Sequence, residues 1–200
     1  MQGNHWVSMV IDSPSDQPPG TIDAPTLSRQ SGVVTSLRDF GLKIARDGRW
    51  FHRGSPIERP ALVKLFASVL RREADGSYWL VTPVERGRIE VEDVPFVAVE
   101  LVAEGEGEAQ RLHLRTNLDQ WMTIDAAHPL HVRDVRGHVG PAGPVPYVDM
   151  EHGLAARLAR PVYYDLVELG VEVHGRFGVW SAGHFFLLEP TGETCGRRDV

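Results

Sequence analysis

The sequence has almost no cysteine and no excess of positive charge. Its single cysteine, Cys195, lies near the end of the chain, which excludes an internal disulfide framework and makes a thiol nucleophile improbable. The formal net charge is -6 at pH 7, and no run rich in lysine and arginine occurs. Because a nucleic-acid backbone is recognised by a broad positive field, we expect no nucleic-acid partner.

Long apolar runs are also absent. No segment approaches the roughly 20 consecutive apolar residues that span a bilayer, and residues 1–16 lack the basic and apolar regions of a secretory signal. The hydrophobic and charged fractions, 42% and 24%, are typical of a globular protein that buries its own core. We therefore expect a cytoplasmic protein with no membrane association.

The sequence lacks the short motifs of common catalytic sites. It contains no GxSxG, no S-x-x-K and no glycine-rich phosphate loop. Nine histidines include His128 and His131, but their spacing on an extended chain turns the rings to opposite faces, and HExxH and CxxC do not occur. We predict no metal ion, no cofactor and no catalytic residue.

The pattern of apolar residues divides the chain into segments. A composition rich in Pro, Ser, Asp and Gly predicts a flexible leader over residues 1–36, and residues 193–200 form a polar tail. Pro60 begins a predicted helix that ends at Asp75-Gly76, and its apolar stripe consists of Leu62, Leu65, Phe66, Val69 and Leu70. Four short segments follow and predict an antiparallel meander: 78–84, 88–93, 96–103 and 111–117.

The second half of the chain repeats part of this plan. Gly54 and Gly153 each end a short strand, and Arg59-Pro60 and Arg160-Pro161 each precede a helical pattern and an aromatic-rich strand. This repetition predicts an α+β fold of two structurally related subdomains, residues 37–105 and 106–192. Each subdomain is predicted to be a small, mostly antiparallel sheet with a packed helix. A cleft between two such copies is a common place for a small ligand.

Three carboxylates lie within the segment VERGRIEVEDVPF, residues 84–96. Side chains alternate along a strand, so Glu90 and Glu92 point to one side and Asp93 to the other. A bulge at the Asp93-Val94-Pro95 step would re-aim Asp93. The pattern leaves three alternatives open, namely a solvated acidic face, the rim of a ligand groove, and a metal-binding or catalytic cluster.

Arginines precede both predicted helices. Arg59 and Arg160 stand directly before the helical prolines, and Arg157 is near in sequence. A guanidinium beside a helix N-terminus suits a phosphate or a carboxylate. The alternative is a set of internal salt bridges to Glu58, Glu85, Glu92 or Asp93.

Four blocks occur in order along residues 40–190: DGRWFHRGSPIERPALVKLFASVLRREADGSYWLVTPVERGRIEVEDVPF, RTNLDQWMTIDAAHPL, PYVDMEHGLAARLARPVYYDLVE and GVWSAGHFFLLE. They resemble the bacterial family called domain of unknown function 1285, most specifically in LFASVL, LVTPVE and VEDVPF. The resemblance implies a duplicated α+β fold whose second copy is loosely like a pleckstrin-homology domain. It also implies a ligand site between the copies, a nucleotide-like ligand and a role in signalling, but no activity.

With this resemblance, the VEDVPF block favours a groove rim. We predict a non-catalytic cytoplasmic ligand-sensing or adaptor module that binds a small anionic, nucleotide-like ligand between the subdomains and signals to an unknown protein partner. The predicted ligand-binding residues are Arg59, Thr82, Glu85, Glu92, Asp93, Thr116, Asn117, His128, Tyr147, Arg157 and Arg160. The alternatives are a metal-assisted hydrolase that uses Glu92 and Asp93, and a protein-interaction module without a small ligand.

Overall fold

Residues 38–135 and 143–190, which the computed structural model describes, form two six-stranded sheets, a three-stranded sheet and two α-helices. The predicted leader, residues 1–36, and the predicted tail, residues 193–200, lie outside the described residues. The predicted α+β class with two sheet-rich subdomains is confirmed. Neither of the described helices is long and apolar enough to cross a membrane.

The first subdomain contains one helix and six strands. Its elements are β1 (Arg38–Ile44), β2 (Trp50–His52), β3 (Ser55–Pro56), α1 (Pro60–Ser68), β4 (Leu70–Arg72), β5 (Tyr78–Val81) and β6 (Arg86–Val91). The strand order is β3-β2-β1-β6-β5-β4. The central pair, β1 and β6, is parallel, and the other neighbours are antiparallel. Proline at the first position of α1 suits a helix start, where its missing N–H is not needed.

The second subdomain contains one helix and nine described strands. Its elements are β7 (Phe96–Glu104), β8 (Arg111–Thr116), β9 (Trp121–Thr123), β10 (Leu130–Val135), β11 (Gly143–Asp149), β12 (Ala155–Leu158), α2 (Arg160–Glu168), β13 (Val171–Val173), β14 (Arg176–Ser181) and β15 (His184–Leu187). The larger sheet has the order β10-β11-β12-β7-β8-β9, with β12 and β7 parallel, and β13-β14-β15 form the smaller sheet.

The order of elements repeats within the chain. In each copy three strands precede a nine-residue helix with an Arg-Pro start, and three strands follow it: β1–β3, α1 and β4–β6, then β10–β12, α2 and β13–β15. Arg53-Gly54 and His152-Gly153 occupy corresponding turns, and all four residues have positive φ. The copies differ in strand pairing. In the first copy the first and last strands, β1 and β6, pair with each other, whereas in the second copy β12 pairs with β7, a strand that lies outside the repeat. The likeness of the second copy to a pleckstrin-homology domain stays a prediction.

Helix α1 is shorter than the apolar spacing predicts. It ends at Ser68, and the fully buried Leu70 begins β4, where it pairs with β5. The residues that α1 buries are Val63 and Ala67, while Leu65 of the predicted stripe is 60% exposed. The predicted stripe is therefore wrong at Leu65, which faces solvent, and at Leu70, which belongs to β4, whereas Phe66 and Val69 pack against the core.

The predicted four-strand meander is divided between the two sheets. β5 pairs with β6 and β7 pairs with β8, but β6 and β7 are not neighbours. The free edge of β6 is taken by β1, so the chain leaves the first sheet after Val91 and enters the second at Phe96. The sequence-based division assigns residues 96–105 to the first subdomain, whereas β7 lies in the second sheet.

The two subdomains share part of a hydrophobic core. Phe96, Leu154 and Ala156 belong to the second subdomain but pack into the cluster that contains Trp50, Leu70 and other buried residues of the first. Phe96 is 1% exposed. The two subdomains are therefore joined by apolar packing at this cluster.

Candidate functional site

Asp93 lies at the junction of the two subdomains among cationic and phenolic side chains. Its Oδ1 accepts a hydrogen bond of 3.1 Å from the Tyr147 hydroxyl, and its Oδ2 lies 3.8 Å from the Nε atoms of Arg46 and Arg157. Arg157 Nη2 also donates to the Arg46 carbonyl at 2.8 Å. These four residues, called here the Asp93 cluster, connect the β1–β2 loop with β11 and β12.

Tyr147 is the most buried member of the Asp93 cluster, with 2% of its surface exposed. Its ring stacks on His131 at a centroid distance of 5.9 Å, and the Arg133 guanidinium lies 4.7 Å from the ring centroid. Burial, with a smaller effect of the Asp93 carboxylate, raises the pKa of Tyr147 to about 12. The phenol therefore stays protonated and donates to Asp93 at physiological pH.

This pKa predicts how stability changes in alkali. The unfolded chain ionises Tyr147 near pH 10 and the folded chain only near pH 12, so the stabilisation is complete below pH 10 and is lost as the pH rises. We expect the free energy of unfolding to fall by about 1.4 kcal/mol per pH unit over this interval through Tyr147 alone. The measurement is urea unfolding of the wild type and of Tyr147→Phe between pH 8 and 12.

The phenylalanine variant should be about 1–2 kcal/mol less stable at pH 8, because it lacks a hydrogen bond to a charged acceptor. Its stability should then fall less steeply in alkali than that of the wild type. Tyr164→Phe is the control, because Tyr164 is 59% exposed. Equal slopes for the wild type and Tyr147→Phe would contradict the assignment.

Glu92 forms a separate ion pair, with Lys43, next to the Asp93 cluster. Its carboxylate lies 2.9 Å from Lys43 Nζ and accepts the Arg46 backbone N–H at 2.9 Å. These contacts, led by the one to Lys43, lower the pKa of Glu92. Among residues 38–135 and 143–190, no three His, Cys, Asp or Glu side chains are grouped as a metal ion would require. The hydrolase alternative stays a prediction.

Thr116 and Asn117 fix the backbone at the end of β8. Thr116 is fully buried, and its Oγ1 accepts the backbone N–H groups of Leu118 and Gln120. Asn117 Oδ1 accepts the Val97 N–H at 3.1 Å, and its Nδ2 donates to the Gly48 carbonyl at 3.2 Å. Asn117 thus connects the first subdomain to the second. The polar atoms of the Thr116 and Asn117 side chains are hydrogen-bonded to backbone groups.

A cavity of about 520 Å³, called here the inter-subdomain pocket, lies between the two subdomains. The end of α1 and β4 form one side of it, and residues of the second subdomain form the other. Its walls include the apolar Phe96 and Leu154. Trp121 and the polar side chains of Ser68, Arg71, Gln120, His128, Glu151 and His152 also line it. Trp121 is 54% exposed on the edge strand β9. Arg71 Nη1 donates to the carbonyls of Ser68 and Leu70 at 3.2 and 2.6 Å, which holds the guanidinium in place.

A second cavity, of about 680 Å³ and called here the α1 pocket, lies between α1 and the first sheet. Its walls are mostly apolar, and its polar lining residues are His52, Ser55, Glu58, Arg59, Thr82 and Glu85. Thr82 Oγ1 donates to the Glu85 carbonyl and accepts the Glu85 N–H, so these two residues close the β5–β6 turn. This pocket belongs to one subdomain, unlike the predicted cleft.

The structure distributes the predicted ligand-binding residues over several places. Arg59, Thr82 and Glu85 line the α1 pocket, and His128 lines the inter-subdomain pocket. Asp93, Tyr147 and Arg157 form the Asp93 cluster with Arg46, and Glu92 lies beside it. The side chains of Thr116 and Asn117 form hydrogen bonds to the backbone, and the exposed Arg160 is the first residue of α2.

Sequence reasoning missed Arg71 and Trp121 of the inter-subdomain pocket. Arg71 fell inside the predicted helix, where its direction could not be read because α1 in fact ends at Ser68. Trp121 follows the turn at residues 117–119, and a large aromatic residue next to polar residues at the start of a short strand is the signal that could have identified it. Because Trp121 is exposed and also lines the inter-subdomain pocket, its ring is accessible to a ligand there.

Two family models match successive parts of the chain. The model described as "Domain of unknown function (DUF1285), N-terminal domain" matches residues 35–94, and "Protein of unknown function (DUF1285), C-terminal domain" matches residues 95–188. The crystal structure of a DUF1285 family protein from Silicibacter pomeroyi DSS-3 is 41% identical, with 78% of this chain and 82% of that chain covered and a TM-score of 0.71. The chain belongs to the DUF1285 family.

A DUF1285 family protein from Shewanella baltica OS155 is also similar, with 28% identity, 64% of this chain and 91% of that chain covered, and a TM-score of 0.48. The search of curated proteins gave no match. The resemblance inferred from the four sequence blocks is thus confirmed. The boundary between the two DUF1285 domains falls after residue 94, where the chain crosses from β6 to β7.

Proposed function

We propose that this DUF1285 chain is a non-catalytic ligand-sensing or adaptor module, and that its inter-subdomain pocket binds a small anionic ligand with an aromatic ring, of nucleotide type. The observation that carries the proposal is that one cavity is lined by the exposed Trp121, by Arg71, whose guanidinium is hydrogen-bonded to backbone carbonyls, and by two histidines, His128 and His152. An aromatic face suits a base, and an arginine suits a phosphate.

The charges of the pocket favour a ligand with few phosphates. Arg71 is a permanent cation with five N–H donors, of which the described contacts use those on Nη1. Glu151, whose side chain is 81% exposed, adds a negative charge at the same pocket. A nucleoside monophosphate places one phosphate at Arg71 and its base on Trp121, whereas a longer polyphosphate meets the Glu151 carboxylate.

The position of the pocket supports a sensing role. Its walls come from α1 and β4 of the first subdomain and from residues of the second subdomain. A ligand that contacts both stabilises their arrangement by its differential affinity for that arrangement. A protein partner that contacts both subdomains would then bind differently to the occupied and the empty module, and this difference is the signalling role that we propose. The partner itself is unknown.

Adenosine 5′-monophosphate, adenosine and inorganic phosphate, each titrated calorimetrically into the full chain, test this function. We expect the monophosphate to bind more tightly than either fragment. Trp121→Ala and Arg71→Ala should each weaken it about tenfold or more, because base stacking and a charged hydrogen bond each contribute about 1–3 kcal/mol. Arg111→Ala, an exposed arginine at the far end of β8, should change the affinity less than twofold.

Absence of binding for all three compounds at millimolar concentration would overturn the nucleotide assignment and favour a protein-interaction module without a small ligand. Binding that is unchanged in both pocket variants would place the nucleotide elsewhere on the chain. Thermal unfolding of each variant checks that the fold is retained, since a folded variant with lost affinity is the informative result.

A further inference from the structure

The α1 pocket has preformed apolar walls. Phe40, Leu42 and Leu80 come from the first sheet, and Leu62, Phe66 and Val69 come from α1 and the residue after it. The Phe40 ring lies over Gly87, where a Cβ atom would overlap it. Phe66 stacks on the buried Trp50 at a centroid distance of 6.1 Å. Aromatic rings held by a glycine and by a second ring make a cavity with fixed sides.

The lining of the α1 pocket also includes charged residues of the loop before α1. Arg59 caps α1, and its carbonyl accepts the N–H groups of Leu62 and Val63, which fixes its backbone relative to the helix. Within the part of the chain that the structure describes, the Arg59 guanidinium has no ion-pair or hydrogen-bond partner. Glu58 and Glu85 line the same pocket, and Glu85 already has an interaction partner.

We infer that the α1 pocket binds a small carboxylic acid with an apolar chain, with the chain among the aromatic walls and the carboxylate at Arg59. A cavity of about 680 Å³ lies in the range that holds small ligands, and an apolar chain is what its walls remove from water. A guanidinium without an internal partner is complementary to a carboxylate. This site is separate from the inter-subdomain pocket and does not depend on the nucleotide proposal.

Three probes with the same chain and different heads test the inference: decanoate, decanol and decylammonium, each kept below its micellar concentration. Calorimetry with the full chain should show decanoate binding at least tenfold more tightly than decanol. Octanoate should bind about tenfold more weakly than decanoate, because each buried methylene contributes separately. Tighter binding of decylammonium would show that Glu58 selects the head group and would overturn the carboxylate assignment.

Two neighbouring variants provide the matched comparison. Arg59→Gln should weaken decanoate at least tenfold and leave decanol unchanged, whereas Glu58→Gln should leave decanoate unchanged or tighten it a few fold. Both residues are exposed, so both variants should unfold at nearly the wild-type temperature. Equal decanoate affinity in Arg59→Gln and the wild type, or no binding of any probe, would refute the site. Titration of adenosine 5′-monophosphate into Arg59→Gln should be unaffected, which separates the two proposals.

Discussion

Replacing Phe96 by alanine is expected to lower the free energy of unfolding by about 3–5 kcal/mol, as for other fully buried aromatic residues. Phe96 begins β7 of the second subdomain, is 1% exposed, and packs into the core of the first subdomain with Trp50 and Leu70. The variant loses the burial of a whole ring and leaves a cavity at the junction. Urea unfolding followed by circular dichroism measures the change.

Val99→Ala is the control for Phe96, because Val99 lies on the same strand and is 42% exposed. It should lower stability by less than about 1 kcal/mol. A more revealing outcome is the shape of the transition: if Phe96 joins the two cores, its removal should broaden a single transition or divide it in two. A loss below about 1 kcal/mol for Phe96→Ala would show that the subdomains do not depend on this contact.

Replacing Asp93 by asparagine is expected to lower the free energy of unfolding by about 3 kcal/mol, because it removes one partner of a largely buried ion pair. The substitution keeps the shape of the side chain but removes the charge that faces Arg46 and Arg157 at 3.8 Å, and it weakens the acceptor of the Tyr147 hydroxyl. The Asp93 and Arg157 side chains are only 16% and 22% exposed, so solvent screens the remaining positive charges poorly. Thermal and urea unfolding at pH 7 measure the loss.

The comparison for Asp93 is Glu90→Gln. Glu90 also faces a cation, Lys43 at 2.9 Å, but its side chain is 66% exposed. Exposed pairs contribute little, so this variant should lose less than about 1 kcal/mol, and added salt should reduce even that. The double variant Asp93→Asn with Arg157→Gln should be less destabilised than the sum of the single variants, because the two side chains interact. Additive effects would show that the pair is not coupled.

The repeat and the helix starts could be predicted from the sequence because each depends on local chemistry. Both Arg-Pro steps mark helix starts as the spacing indicates: Arg59 is the N-cap of α1, and Arg160 is the first residue of α2. The end of α1 could not be read, since the apolar Val69 and Leu70 continue the helical spacing although Leu70 is held by pairing with β5. Which strands are neighbours was also beyond local reasoning, because the edge of β6 is occupied by a strand that begins near residue 38.

The candidate site was predictable only in part. The charged residues before the helices and around residue 92 were identified, but their partners are set by tertiary contacts. Asp93 meets Tyr147 and Arg157, which are more than fifty positions away in the chain. Arg59 lines a pocket within one subdomain and His128 lines a pocket between the two. Local spacing indicates which groups are available for chemistry, and chain topology decides which of them meet.

The parallel pairing of β7 with β12 has a consequence for synthesis on the ribosome. Phe96 pairs with Ala156, so an early strand of the second sheet lacks one neighbour until the chain has grown by about sixty residues. The six strands of the first sheet, by contrast, are all complete by Val91. Translation therefore supplies all six strands of the first sheet before it supplies Phe96, Leu154 and Ala156, which complete the hydrophobic cluster of that sheet.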